Sequence, residues 1–241
     1  MRHTAGVAGP SKVTGVGLLA PMEHELQPLV RRLGLEPDGA GYRGRAGDLE
    51  VVALLTTVGM TAAAAAARRI LDEGVDGVIV VGIAGGVDPQ TVSIGDVVVP
   101  ELVIDRASGT SYRPAPLGDV PAAGTISCGD DLILDSPRLA AMHARGIVAV
   151  DMETAAVAAV CEAAGCPWSV FRSISDHAGE GLIDEELFAM MRPDGTTDDA
   201  AITTYLRAHP DKIDDLLRLA QDMTVATEAA ADAAVRSLTT L

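Results

Sequence analysis

The sequence predicts an α/β fold with helices packed on both faces of a mostly parallel sheet. Short β-branched apolar runs alternate with alanine- and leucine-rich helical stretches, the pattern that sheet-and-crossover architectures leave in a chain. Of 241 residues, 48% are hydrophobic, enough for one sizeable core and one compact domain over 1–241. No self-similarity at a 20–50-residue period points to a repeat array.

The elements follow in order. Residues 1–11 read as a loose leader, charged but without the apolar stretch and cleavage site of a secretory signal. A strand over 13–19 ends near Pro21, whose missing N–H suits a helix entry, and a helix over 23–33 follows. Strands are predicted over 42–46 and 51–57. The uncharged stretch 51–67 divides at Thr56, Thr57 and Gly59 into a β-branched half and an alanine half, so it reads as strand, turn and helix (61–73) and not as a membrane span. Further strands are expected over 77–82, 96–104, 124–127, 147–150 and 168–175, with helices over 137–145 and 154–164. Two regions rich in Gly, Pro, Ser, Thr or Asp, 106–123 and 179–199, read as lids or subunit contacts. The tail from Asp211 has helical periodicity, an acidic first turn and an arginine near its end, as the helix dipole favours.

Charge and cysteine content narrow the function. A formal net charge of -16, with no stripe of Lys or Arg, argues against a nucleic-acid surface and for a small partner. Cys128, Cys161 and Cys166 form no CxxC pair and fit a reducing, cytoplasmic compartment. No HxH or HExxH pattern suggests a metal, and no cofactor is expected. Gly15-Val-Gly17-Leu-Leu-Ala20 matches the dinucleotide fingerprint by letter, but only Lys12-Val13-Thr14 precedes it. Its glycines therefore fall inside the first strand, where they cannot form the phosphate-binding turn.

Three strand exits carry the chemistry: Met22-Glu23-His24-Glu25, Val81-Gly82-Ile83-Ala84-Gly85-Gly86, and Asp151-Met152-Glu153 with Arg172-Ser173-Ile174-Ser175-Asp176. In an open α/β sheet, ligands sit in the crevice beyond the carboxyl ends of the strands, so acids from distant positions converge there. Residues two apart on a helix lie about 200° around the axis, so Glu23 and Glu25 cannot both face one site. Either acid could also sit at a helix start for its dipole alone.

Across 13–176 the chain resembles the purine and uridine nucleoside phosphorylase superfamily, and within it the 5'-methylthioadenosine/S-adenosylhomocysteine nucleosidases. The resemblance rests on GLLAPMEHEL, VALLTTVGMTAAAAAA, VIVVGIAGGVDPQTVSIGDVVV, SCGDDLI, AVDMETAAVAAVCEAAGCP and FRSISD, in that order. It implies a three-layer α/β/α phosphorylase/hydrolase-like fold around a mixed sheet, and a homodimer. It also implies cleavage of the N-glycosidic bond of a purine nucleoside modified at the 5' position. Asp176 matches the acid that protonates purine N7, a task for which a carboxyl needs a raised pKa near neutrality. Glu25 matches the water-activating glutamate, and Glu153 the carboxylate on the ribose hydroxyls. Met152 matches the residue under the sugar, while Ile83, Ala84, Gly85, Leu132, Ile133 and Ser175 fall at pocket positions.

The resemblance leaves open a phosphate-dependent phosphorylase, including a hopanoid-associated type suggested by 216–222, or a non-catalytic nucleoside-binding module. Phosphorylase relatives place arginines after the first strand and before GxxGG, where this chain has none before Arg31 and only Val80 and Val81 before Gly82. Arg43 and Arg45 leave a route for a neighbouring subunit to supply one. Ile83 stands where a small hydroxyl residue is usual and Leu132 where an aromatic is frequent. The tail over 180–241 is longer than the family's ending.

Overall fold

The computed structural model describes residues 13–118, 120–190, 192, 196 and 198–240, so the expected leader lies outside the described residues. In chain order it runs β1 (Gly15–Ala20), α1 (Glu23–Leu33), β2 (Glu36–Asp38), β3 (Gly41–Ala46), β4 (Leu49–Leu55), α2 (Met60–Asp72), β5 (Gly77–Gly86) and β6 (Val97–Val98). Then come β7 (Leu102–Asp105), β8 (Ser111–Tyr112), β9 (Thr125–Cys128), α3 (Ser136–His143), β10 (Ile147–Asp151), α4 (Thr154–Ala164) and β11 (Trp168–His177). The tail holds α5 (Glu185–Ala189), α6 (Asp199–Ala208) and α7 (Ile213–Leu238).

One mixed sheet has the order β2-β3-β4-β1-β5-β10-β9-β7-β8, with β11 beside β5 and β6. β1 is parallel to β4 and β5, and β11 is parallel to β5, whereas β10 meets the end of β5 antiparallel. Alternation along the strands builds two cores. Val16, Leu18, Ala20, Val51, Ala53, Ile79 and Val81 pack with α1 and α7. Leu19, Val52, Leu54, Val78 and Val80 pack with α2 and α4 on the opposite face. The result is the expected three-layer arrangement.

Small residues let these layers approach closely. Gly15 and Gly17 lie within β1. A Cβ at Gly17 would sit 2.6 Å from the Ile70 side chain of α2, so its glycine serves helix packing and no phosphate turn. Ala63, Ala66 and Ala67 of α2, and Ala230, Ala231 and Ala234 of α7, are buried against the sheet.

The expected strand over 96–104 is two strands in different parts of the sheet. β6 pairs with β11, β7 pairs with β9, and Pro100 lies between them, where its missing N–H breaks any continuous ladder. The expected loops also contain structure, β8 in one and α5 in the other. β5 runs on to Gly86 and β11 to His177 because each supplies the other's hydrogen bonds past the expected ends. Among the described residues no helix is long and apolar enough to cross a membrane.

Candidate active site

The carboxyl ends of β1, β5, β10 and β11 open into one cavity of ≈ 200 Å³. Every residue singled out from the sequence lines it. Glu25, Ile83, Ala84, Gly85, Leu132, Ile133, Met152, Glu153, Ser175 and Asp176 all contribute to its lining. The remaining wall comes from the tail, through Ile183, Phe188, Leu219 and Met223.

Glu25 is placed by the start of α1. Met22 caps the helix with extended backbone, and Glu25, three residues on, accepts the Met22 N–H through Oε2 at 2.7 Å. Its Oε1 accepts the Ile83 N–H at 2.8 Å, which ties β5 to α1. The side chain is 1% exposed. Burial pushes its carboxyl up to about 8, against the pull of Arg172 and of the two amides. Glu23 points out to solvent, where its Oε1 accepts from Gln27 Nε2 and from the Tyr42 hydroxyl. The helical spacing thus separates the two acids as expected.

Arg172 is the residue that the sequence reading left out of the site. It is fully buried on β11, and its guanidinium faces three carboxylates. Nε donates to Asp151 Oδ2 at 2.9 Å, Nη2 to Glu153 Oε2 at 2.9 Å and Nη1 to the Ile83 carbonyl at 3.2 Å. Glu25 Oε1 lies 3.8 Å from Nη1. Burial works against this charge, but the three acids outweigh it and keep the group protonated. Two guanidinium groups, Arg172 and Arg106, thus line the cavity although no arginine stands just after the first strand or just before Gly82, and the donors of both are engaged by the chain's own oxygens.

Gly82 makes room for this pair. A Cβ there would lie on Glu25 Oε1 and 2.6 Å from Arg172 Nη1. Because two amides pin Glu25, the clash cannot be relieved at the carboxyl end. Gly82→Ala should cost about 1–3 kcal/mol of stability, and turnover should fall at least about tenfold as Glu25 is displaced. Thermal unfolding and steady-state rates measured together test this; a variant as stable and active as the parent contradicts it.

Glu153 precedes α4 and is 3% exposed. Oε1 accepts the Gly59 N–H at 3.0 Å. Burial raises its pKa, opposed by Arg172 and reinforced by Asp151. The Gly59 donor is aimed by an unusual turn, in which Thr57 has φ 61. A β-branched residue there costs about 1–3 kcal/mol, so the surrounding contacts must hold it. Asp176 is only half-buried, its carboxyl at the cavity wall with Oδ1 accepting from Ser175 Oγ at 2.6 Å. Burial raises its pKa; the Ser175 hydroxyl and His177 pull it down, and Glu180 and Asp222 push it up.

This arrangement gathers three carboxyl groups with raised pKa values, Glu25, Glu153 and Asp176, around one cavity. Residues 15–123 and 117–206 match the phosphorylase superfamily. The chain belongs to that superfamily. Among its relatives, a 5'-methylthioadenosine/S-adenosylhomocysteine nucleosidase of Exiguobacterium sp. is 33% identical over 201 residues, covering 68% of this chain and 86% of that protein. One of the same name from Shewanella sp. is 33% identical over 199 residues, covering 68% and 84%. Proteins of known structure share the fold. The S-adenosylhomocysteine nucleosidase of Streptococcus pyogenes, with 5-methylthiotubericidin, superimposes with TM-score 0.73 at 21% identity over 97% of this chain and 99% of that one. The futalosine hydrolase of Helicobacter pylori gives 0.70 at 20% identity over 95% and 99%. The superfamily match ends at residue 206, so the α7 side chains on the cavity wall lie beyond it.

Proposed function

We propose that this chain is a nucleosidase that hydrolyses the N-glycosidic bond of an adenine nucleoside with a modified 5' position, with 5'-methylthioadenosine and S-adenosylhomocysteine as the leading candidates. Asp176 donates a proton to N7 of the leaving purine. Glu25 takes a proton from the attacking water. Glu153 accepts from the ribose hydroxyls with its remaining lone pairs, above Met152. The base lies between Leu132, Ile133 and the Ser175–Asp176 edge, and Ile83, Ala84 and Gly85 close the nucleophile side. The resemblance to the nucleosidases implies a homodimer.

The commitment of Arg172 carries the choice of water over phosphate. One guanidinium faces three acids, Asp151, Glu153 and Glu25, so its charge is already shared among the chain's own groups and is not left over for an anion. Like charges about 4 Å apart repel by about 4 kcal/mol at an effective dielectric of 20, and a phosphate dianion entering here meets that repulsion. The other cavity arginine, Arg106, is likewise spent, on Asp131 and on three carbonyls.

The 5' assignment rests on the tail wall, where Ile183, Phe188, Leu219 and Met223 present no charge. A small apolar group seated there is worth about 10–200-fold in kcat/KM, so 5'-methylthioadenosine should outrun adenosine by at least about tenfold. Incubation of both nucleosides with and without phosphate, followed by identification of free base, free sugar and sugar 1-phosphate, tests the whole reading. Free sugar formed independently of phosphate is the expected result. Phosphate-dependent sugar 1-phosphate identifies a phosphorylase, and binding without release identifies a non-catalytic module.

A further inference from the structure

The cavity wall that carries Leu132 and Ile133 belongs to no helix or strand. Residues 129–134 leave the end of β9 and run to α3 without a ladder of their own. Their carbonyls converge on one side chain. Arg106, just past β7, donates from Nη2 to the Gly129 carbonyl at 2.9 Å and to the Asp131 carbonyl at 3.0 Å. Nη1 donates to the Ser127 carbonyl at 2.9 Å, and Nε to Asp131 Oδ1 at 2.8 Å. The guanidinium is 12% exposed and itself reaches the cavity.

The neighbouring residues fit this arrangement. A Cβ at Gly129 would stand 3.1 Å from Arg106 Nη2, so glycine lets the guanidinium lie flat along the backbone. Asp131 is shared with Arg138, whose Nη2 reaches Oδ2 at 2.7 Å. Asp130 Oδ1 accepts the Met60 N–H at 2.8 Å and so fastens the same segment to the start of α2. The planar fork of arginine meets several acceptors at once, which a lysine ammonium cannot do at these positions.

We infer that Arg106 is a positioning residue that sets the 129–134 segment and thereby governs how tightly, and how selectively, the site holds its purine. This rests on the nucleosidase reading for the identity of the ligand, but the pinning itself does not. Arg106 is remote in role from Glu25 and Asp176, and its loss acts on binding of the base and not on proton transfer.

Two measurements on Arg106→Ala test this, with Arg106→Lys as the milder variant should the first fail to fold. Amide hydrogen exchange reads the pinning: segment 129–134 should exchange at least about tenfold faster while the β5 and β11 amides keep their protection. Steady-state kinetics read the consequence. KM for 5'-methylthioadenosine should rise about tenfold, the size of one lost buried hydrogen bond. kcat should stay within about threefold of the parent, and the preference for a 6-amino over a 6-oxo purine nucleoside should shrink. Unchanged exchange in 129–134 overturns the inference, as does a fall in kcat at unchanged KM. A parent protein that cleaves no nucleoside defeats the nucleosidase reading instead, and the exchange measurement alone then decides the pinning.

Discussion

Asp176→Asn should lower kcat by about 10²–10⁴-fold, the usual contribution of a positioned general acid, with KM changed only a few-fold. Asparagine keeps the size of the side chain and can still accept the Ser175 Oγ hydrogen bond through its amide oxygen. It cannot deliver a proton. Asp176 stands at the cavity wall and not in the packed core, so the fold should tolerate the change, and circular dichroism with thermal unfolding checks that it does. The physical requirement is specific: a departing purine anion is a poor leaving group at neutral pH, and a carboxyl helps only while it is protonated. Burial favours that condition by raising the Asp176 pKa, against the Ser175 hydroxyl and His177, and Glu180 and Asp222 add to the rise. Near-parental kcat in the variant removes Asp176 from the reaction.

Several features of this site were legible in the sequence because they follow from periodicity. The alternation Val16, Leu18, Ala20 against Leu19 sets the two faces of β1, and the helical angle between Glu23 and Glu25 decides which acid turns inward. Strand exits were legible for the same reason, since apolar runs end where the crevice begins. Arg172 was not read in this way. It interrupts the strand WSVFRSISDH, buried at every position but Asp176, and a lone cation there demands partners. Those partners are 19, 21 and 147 positions away along the chain at Glu153, Asp151 and Glu25, and local pattern cannot pair charges over such separations. The split of the expected 96–104 strand had a visible cause in Pro100, which β-propensity in the flanking valines masked. The left-handed turn at Thr57 had no local signal, because tertiary contacts hold a residue type that disfavours that conformation.

Glu25→Gln should cost a similar 10²–10⁴-fold in kcat, while Glu23→Gln, on the solvent side of the same turn, should stay within about twofold. Glutamine can still accept one of the two amides that hold Glu25, from Ile83 or from Met22, and gives up the other for about 1 kcal/mol. The pH dependence separates the roles. With its pKa pushed up to about 8, Glu25 is mostly protonated at pH 7 and must lose its proton before it can take one from water. Activity should therefore climb from pH 6 toward 8 as Glu25 loses its proton. The residual rate of Asp176→Asn should keep that rise, and the residual rate of Glu25→Gln should lose it. Stability follows the same proton: the raised pKa means the folded state holds it more tightly than the unfolded chain. The stability that this proton contributes is present at low pH and is lost as pH rises through 8. The unfolding temperature of the parent should accordingly decline against that of Glu25→Gln between pH 5 and pH 8, whereas parallel curves would place Glu25 at an ordinary pKa and remove its claim to the water.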